Sequence, residues 1–213
     1  MKKYIIPFLL FLIVGGLGVV LYNLFELYFN KELSSILLRL IWTATYILFT
    51  LKLVQDKTTL LRFSKLTKDK LILTSIIILL FGINNYFLSR YSSNFDFVRD
   101  GGIFLVIIGF IVNSFYEEFA YRGFIQSYVN QNQSKPSMPL SQGNLFASTL
   151  MTVSHLGFFK VMDMTFAVTG ILLVLVFSLT MGYIRDKGGS IWFLIIVHTI
   201  VNFIHLLFNI ENY

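Results

Sequence analysis

Residues 102–129 read GIFLVIIGFIVNSFYEEFAYRGFIQSYV. The hydrocarbon core of a bilayer is about 30 Å thick, and an α-helix needs about 20 mostly apolar residues to cross it. This stretch is long and apolar enough, yet it carries Glu117, Glu118 and Arg122 near its middle. One acidic residue at the centre of a spanning helix costs about 2.5–3.5 kcal/mol on insertion scales. Two adjacent carboxylates in such a place require both a partner and a use.

The rest of the chain has the same character. Of 213 residues, 56% are hydrophobic, 17% aromatic and 13% charged, with a net charge of +6. A soluble domain carries about 25% charged residues, so there is too little polar surface here for a water-exposed globule. The mean hydropathy of +0.74 agrees. A soluble cytosolic domain, a disordered chain and a coiled coil are excluded. The absence of Cys removes disulfides, thiolate zinc sites and a cysteine nucleophile, and only three Pro leave room for unbroken helices. Seven stretches read as spanning helices, at roughly 4–25, 35–54, 71–89, 102–128, 145–163, 165–184 and 191–209. The expected fold is an all-α polytopic helical membrane protein. Residues 1–101 hold its first three helices, and 102–213 form a second helical part that carries the intramembrane charges. The apolar runs are continuous rather than alternating, which argues against a β-barrel. The first run follows Lys2 and Lys3 without a small-x-small cleavage site, so it is expected to be retained as a helix. Lys160 and Asp163 interrupt the apolar run between the fifth and sixth spans, which leaves a kinked or re-entrant segment open. Residues 130–144, with Pro136, Pro139 and Gly143, read as a polar loop.

Lys and Arg in the loops set the expected orientation. One side holds Lys2, Lys3, Lys52, Lys57, Arg62, Lys65, Lys68, Lys70, Lys135, Arg185 and Lys187, and the other Lys31, Arg90, Arg99 and Lys160. The N-terminus is therefore expected in the cytoplasm and, with seven spans, the C-terminus outside. Because the positive charges lie in loops between apolar runs, topology explains them better than nucleic acid does. Arg39 is read as snorkelling to the interface from near its helix end. Asn84 and Asn85 are read as interhelical hydrogen-bonding groups.

Helical geometry supplies Glu118 with a partner, since Arg122 lies four residues on and on the same face, where a bidentate pair can form. Glu117 is turned away from that pair and shares a face with Asn113 and Tyr121. The three histidines of the chain all lie in apolar stretches: His155 in STLMTVSHLGFF, and His198 and His205 in WFLIIVHTIVNFIHLLF. His198 and Asn202 are also four apart and face one way. A carboxylate, two imidazoles, an amide and a paired guanidinium can thus meet at one depth from three helices, which is a set suited to hydrolysis. His205 is read chiefly as a packing residue.

The pattern Glu117-Glu118-x-x-x-Arg122, then His155, then His198-x-x-x-Asn202, in the contexts FYEEFAYRGFIQ and GGSIWFLIIVHTIVNF, resembles the motifs of the CPBP intramembrane proteases. That family, also called Abi, includes type II CAAX prenyl endopeptidases and bacteriocin-processing enzymes. The resemblance covers roughly residues 102–209. One departure is Met151, where the family often has Phe four residues before the first His; Met suits the same packing role. The resemblance implies that Glu117 is the general base for the attacking water and that His155 positions that water or moves protons. It further implies that His198 and Asn202 stabilise the oxyanion, while Glu118 and Arg122 hold the site together. A carboxylate in a low-dielectric cavity is a usable base, and each oxyanion donor is worth about 3–4 kcal/mol of barrier. The cavity is expected to open to the cytoplasmic face. Glu117, His155 and His198 could instead hold a zinc ion. The chain lacks HExxH, however, and Glu-activated water is the favoured reading, with no cofactor certain.

HExxH and GxGD are missing, and the Gly-Gly-Ser at 188–190 reads as a loop before a helix rather than a nucleophile site, so no other intramembrane protease type fits. Two further classes stay open. A non-proteolytic scaffold or bacteriocin-immunity factor could keep these residues as structure, and a proton-coupled transporter could use them as a relay. The expected substrate is a hydrophobic or membrane-bound peptide. The composition, rich in Ile, Phe, Asn and Lys, suits a low-GC bacterium, where a bacteriocin or signalling-peptide precursor is the natural target.

Overall fold

The computed structural model describes residues 2–56, 61–63, 67–91, 102–132 and 139–209. Lys57, Lys65, Arg99, Lys135 and Pro136 lie outside the described residues. Among the described residues the chain is all-α, with no strand. In chain order the elements are α1 (Lys2–Glu26), α2 (Lys31–Leu53), α3 (Lys68–Tyr91), α4 (Gly102–Gln131), α5 (Gln142–Ser154), α6 (Phe158–Val161), α7 (Met164–Asp186) and α8 (Ile191–Asn209). Six of them, all but α5 and the single turn α6, are long and apolar enough to cross a membrane. The protein is a multi-pass membrane protein, and Leu, Ile, Phe and Val side chains of the spans are exposed around it.

Polar groups and small residues fix how the helices meet, as they must where lipid supplies no hydrophobic drive between helices. Asn144 donates from Nδ2 to the Leu179 carbonyl at 3.0 Å, and Ser178 and Ser148 share a hydrogen bond of 2.9 Å, so α5 and α7 pair antiparallel. Gly182 lets them close up, because a Cβ there would fall 2.0 Å from Asn144 Oδ1. Gly18 of α1 does the same for the Trp42 ring of α2. Asn85 links helices as expected, accepting from His205 Nδ1 at 2.7 Å through its Oδ1. A continuous core runs from Val14, Tyr46 and Ile77 of the first helices to Phe119, Phe124, Phe177 and Leu194.

The expected fifth span over 145–163 is not one helix. The α5 helix stops after 13 residues, a rise of about 20 Å, with His155 as its C-cap and a turn through Gly157 before α6. The backbone N–H groups of His155 and Leu156 shift to Thr152 and Val153. The Met151 carbonyl then accepts instead from the His155 ring at 2.8 Å and the Ser154 hydroxyl at 2.7 Å. Side chains thus take over main-chain bonding at the break. Together α5 and α6 run back along α7, Phe158 packing against Gly170.

The α4 helix is regular to Glu117, then widens into a π-helix over Glu118–Gln126, every residue of which is buried, and ends as an α-helical turn. Such insertions occur mostly at functional sites. One end of the bundle gathers Lys3 with Gln142, Gln55 with Gln131, and Asn130 with Asp186. The other end holds the α1–α2 turn, Met162 and the last turns of α8.

Candidate active site

The end of the α-helical part of α4 and the start of its π-helical part present two carboxylates in different directions. Glu118 points into the protein and is fully buried. Its Oε1 accepts from His198 Nδ1 of α8 at 2.8 Å, and its Oε2 lies 3.6 Å from Arg122 Nε. The bidentate Glu118–Arg122 pair that helical spacing suggests is not formed. Arg122 turns its other nitrogens away, Nη1 to Met151 Sδ at 3.0 Å and Nη2 to the Ser178 carbonyl and hydroxyl at 3.0 and 2.8 Å. The guanidinium therefore ties α4 to α5 and α7, and the Glu118 carboxylate ties it to α8.

Glu117 points the other way, into a cavity of about 450 Å³ lined also by Arg39, Asn113, His155, Asn202 and His205. Its Oε1 accepts from Asn113 Nδ2 at 2.9 Å, the neighbour that periodicity indicated, and lies 4.0 Å from His155 Nε2. Its Oε2 lies 3.6 Å from His198 Nε2 and has no hydrogen-bond partner within the protein. Side chains from three separate stretches of chain thus converge within 4.0 Å of a single carboxylate.

The second nitrogen of each imidazole sets what the first can do. His155 bonds through Nδ1 to a carbonyl, and His198 bonds through Nδ1 to a carboxylate, so both rings carry hydrogen on Nδ1. Each neutral ring then turns a bare Nε2 toward Glu117. His198 can donate into the cavity only when both ring nitrogens carry hydrogen. Asn202 lines the cavity, but its Nδ2 reaches Ser114 Oγ at 3.1 Å and, more weakly, the Phe110 carbonyl at 3.4 Å. It has to release the longer bond to donate elsewhere. Tyr121, buried beside the doublet, is held by its hydroxyl to Ser154 at 2.9 Å.

The zinc alternative can be tested on these distances. Nitrogen and oxygen ligands of a tetrahedral zinc sit about 3.3 Å apart, whereas His155 Nε2 is 4.0 Å from the nearest Glu117 oxygen. Among the described residues, no three His, Asp or Glu side chains form a metal-holding group. As placed, Glu117, His155 and His198 do not fit the ion.

Three contributors were not legible as site residues. Ser178 gave no local signal, being one small polar residue in an apolar helix. Met151 looked like a packing substitute but accepts a hydrogen bond from the buried guanidinium, which Phe could not do. Arg39, read as snorkelling, instead lines the cavity; it lies two turns inside α2, and that depth was the available clue. The cavity extends from Glu117 toward the α1–α2 turn. Its outer wall is made of Tyr22, Lys31, Leu105 and Met162, at the opposite end of the bundle from Lys3, Lys52 and Arg185. The expected cytoplasmic N-terminus and the expected cytoplasmic mouth therefore exclude one another.

No curated protein and no solved structure matches the chain. Residues 99–204, which contain all six motif residues, match the family model of type II CAAX prenyl endopeptidase Rce1-like proteins. Through that region, which spans the carboxylate doublet, His155 and His198, the chain belongs to the Rce1-like family of membrane proteases.

Proposed function

We propose that the chain is an intramembrane endopeptidase that hydrolyses a peptide bond of a hydrophobic or membrane-bound peptide with water activated by Glu117. The convergence of the His155 and His198 Nε2 atoms on the Glu117 carboxylate, at the wall of a cavity, carries this reading. The Glu117 Oε2 atom, free of any hydrogen bond within the protein, takes a proton as the water oxygen bonds to the substrate carbonyl carbon. His155 Nε2 accepts the water's other hydrogen and orients it. Doubly protonated His198 and the Asn202 amide donate to the oxyanion of the tetrahedral intermediate. The proton held on Glu117 then passes to the amide nitrogen as the C–N bond breaks, releasing an amine and a new carboxyl terminus. Glu118, Arg122, Met151 and Ser178 act by positioning His198 and the π-helical segment.

Activated water is preferred to zinc because the three candidate ligands are spread wider than a tetrahedral shell. We assign the N-terminus to the cytoplasm of a bacterial cell from the Lys and Arg excess at its end of the bundle. The cavity then opens on the extracytoplasmic face, which suits an exported bacteriocin or signalling-peptide precursor. The intact polar set argues against a purely structural immunity or scaffold role.

The test uses the purified full chain in nanodiscs with a library of hydrophobic peptides read by mass spectrometry. The wild type is expected to cut at least one sequence class and Glu117→Ala to cut none. Equal cleavage by the two would refute the mechanism.

A further inference from the structure

A second cavity, of about 370 Å³, lies at the end of the bundle that holds Lys3 and Gln131, and hydrolysis does not use it. Its walls come from the ends of three spans: Val54 caps α2, Gln126 lies in the last two turns of α4, and Arg185 and Asp186 close α7. Spans end where hydrocarbon gives way to headgroups, so the cavity sits at the depth of phospholipid phosphates. Gln126 is 1% exposed. Its Nε2 donates to the Gly182 carbonyl and to Asp186 Oδ1, both at 2.8 Å. Both partners are acceptors, which fixes the amide with Oε1 on its other side. That oxygen is buried and has no hydrogen-bond partner within the protein. Arg185 shows the converse. Its Nη1 donates to the Gly189 carbonyl at 3.0 Å, while its Nε is buried without a partner. An unbonded acceptor and an unbonded donor thus belong to the wall of one cavity, and buried polar groups are costly enough to call for an occupant.

The charges around the cavity decide what kind of occupant fits. Asp186 is held by neutral donors, Gln126 and Asn130 at Oδ1 and the Ser141 backbone N–H at Oδ2. Asp56 is a second carboxylate in the wall, and both lie within electrostatic reach of Arg185. One guanidinium against two carboxylates disfavours a polyanion, and a bare cation would leave Arg185 Nε unanswered. A group that carries both signs answers both. We propose that this cavity binds the phosphoethanolamine headgroup of a membrane phospholipid, with the phosphodiester on Arg185 and the primary ammonium on Gln126 Oε1. The guanidinium fork suits phosphate oxygens, and the ammonium brings N–H donors for the amide oxygen and the nearby carboxylates. Leu51 and Leu53 in the last turn of α2 are exposed and give the acyl chains an apolar flank. Gln126 closes the π-helical segment that begins at Glu118, so a bound headgroup holds the far end of the segment that carries Arg122. The proposal stands apart from the peptidase reading, which concerns the other cavity.

The experiment reads lipid binding by native mass spectrometry of the purified full chain released from detergent micelles. Dioleoyl phosphatidylethanolamine, phosphatidylcholine and phosphatidylglycerol are titrated one at a time, and the affinity of the first bound lipid is compared. Phosphatidylcholine keeps the phosphodiester but has no N–H on its quaternary nitrogen, and phosphatidylglycerol has no ammonium at all. The wild type is expected to hold the ethanolamine lipid at least about tenfold more tightly than either. Gln126→Met, which keeps the length and removes the amide, should bring that lipid down to the level of phosphatidylcholine. Arg185→Gln should weaken all three, and Arg185→Lys should keep part of the binding. Equal affinity of the wild type for the three lipids would overturn the proposal, whether or not the variants fold, and would leave the cavity to water. A preference for phosphatidylglycerol would overturn the two-signed headgroup, and so would an unchanged ethanolamine preference in a folded Gln126→Met. Soluble glycerophosphoethanolamine is the last arm. It should bind more weakly than the lipid, and equal affinity would overturn the membrane as the source of the group.

Discussion

Replacing Arg122 by Lys isolates what the guanidinium contributes beyond its charge. Arg122 is fully buried and donates three hydrogen bonds, to Met151 Sδ and to the carbonyl and hydroxyl of Ser178, while its Nε faces Glu118 at 3.6 Å. A Lys ammonium keeps the positive charge but is a single point, and it cannot reach α5 and α7 together from this position. At least two of the three hydrogen bonds are lost. Hydrogen bonds to charged groups are worth about 1.5–3 kcal/mol each, and breaking a buried charged contact costs about 3–5 kcal/mol in all. Neutral interhelical hydrogen bonds in membranes average only about 0.6 kcal/mol, so Ser178→Ala, which keeps the Ser178 carbonyl as acceptor, should cost far less. The expected result is a loss of about 3–5 kcal/mol for Arg122→Lys and about 1 kcal/mol for Ser178→Ala. Reversible unfolding in mixed SDS micelles, followed by circular dichroism, measures both. An Arg122→Lys protein within about 1 kcal/mol of the wild type would refute the view that this side chain clamps three helices.

Glu117→Gln keeps the side-chain shape but removes the base. Cleavage should fall by about 10²–10⁴-fold while stability holds or rises, because a buried charge is lost; an unchanged rate would exclude Glu117 as the base. Gly182→Ala brings a Cβ within 2.0 Å of Asn144 Oδ1 and should cost about 1–3 kcal/mol by overpacking, read in the same unfolding assay. Treatment with 1,10-phenanthroline should leave cleavage by the wild type intact, whereas loss of activity restored by added zinc would overturn the water mechanism. Because the chain has no Cys, a cysteine at Ser35 and one at Lys187 can be compared in intact cells. A membrane-impermeant maleimide should label the first and not the second, and the opposite pattern would reverse the assigned orientation.

Much of the architecture could be read along the chain because crossing a bilayer is a local requirement. A continuous apolar run of the right length is enough, so α1 to α4, α7 and α8 fall close to the expected spans. The motif residues were legible for a related reason: charge at membrane depth is costly enough to stand out residue by residue. Where side chains from distant stretches decide the outcome, local rules stop. The α5 helix ends at His155 because ring and hydroxyl groups take the Met151 carbonyl, a competition that hydropathy does not register. The Glu118–Arg122 pair is loosened because Ser178 and Met151, on two other helices, claim the guanidinium first. Which end the cavity opens toward, and that Arg39 faces it, depends on how helix faces are rotated against one another. Packing across the bundle sets that rotation, so it became visible only in three dimensions.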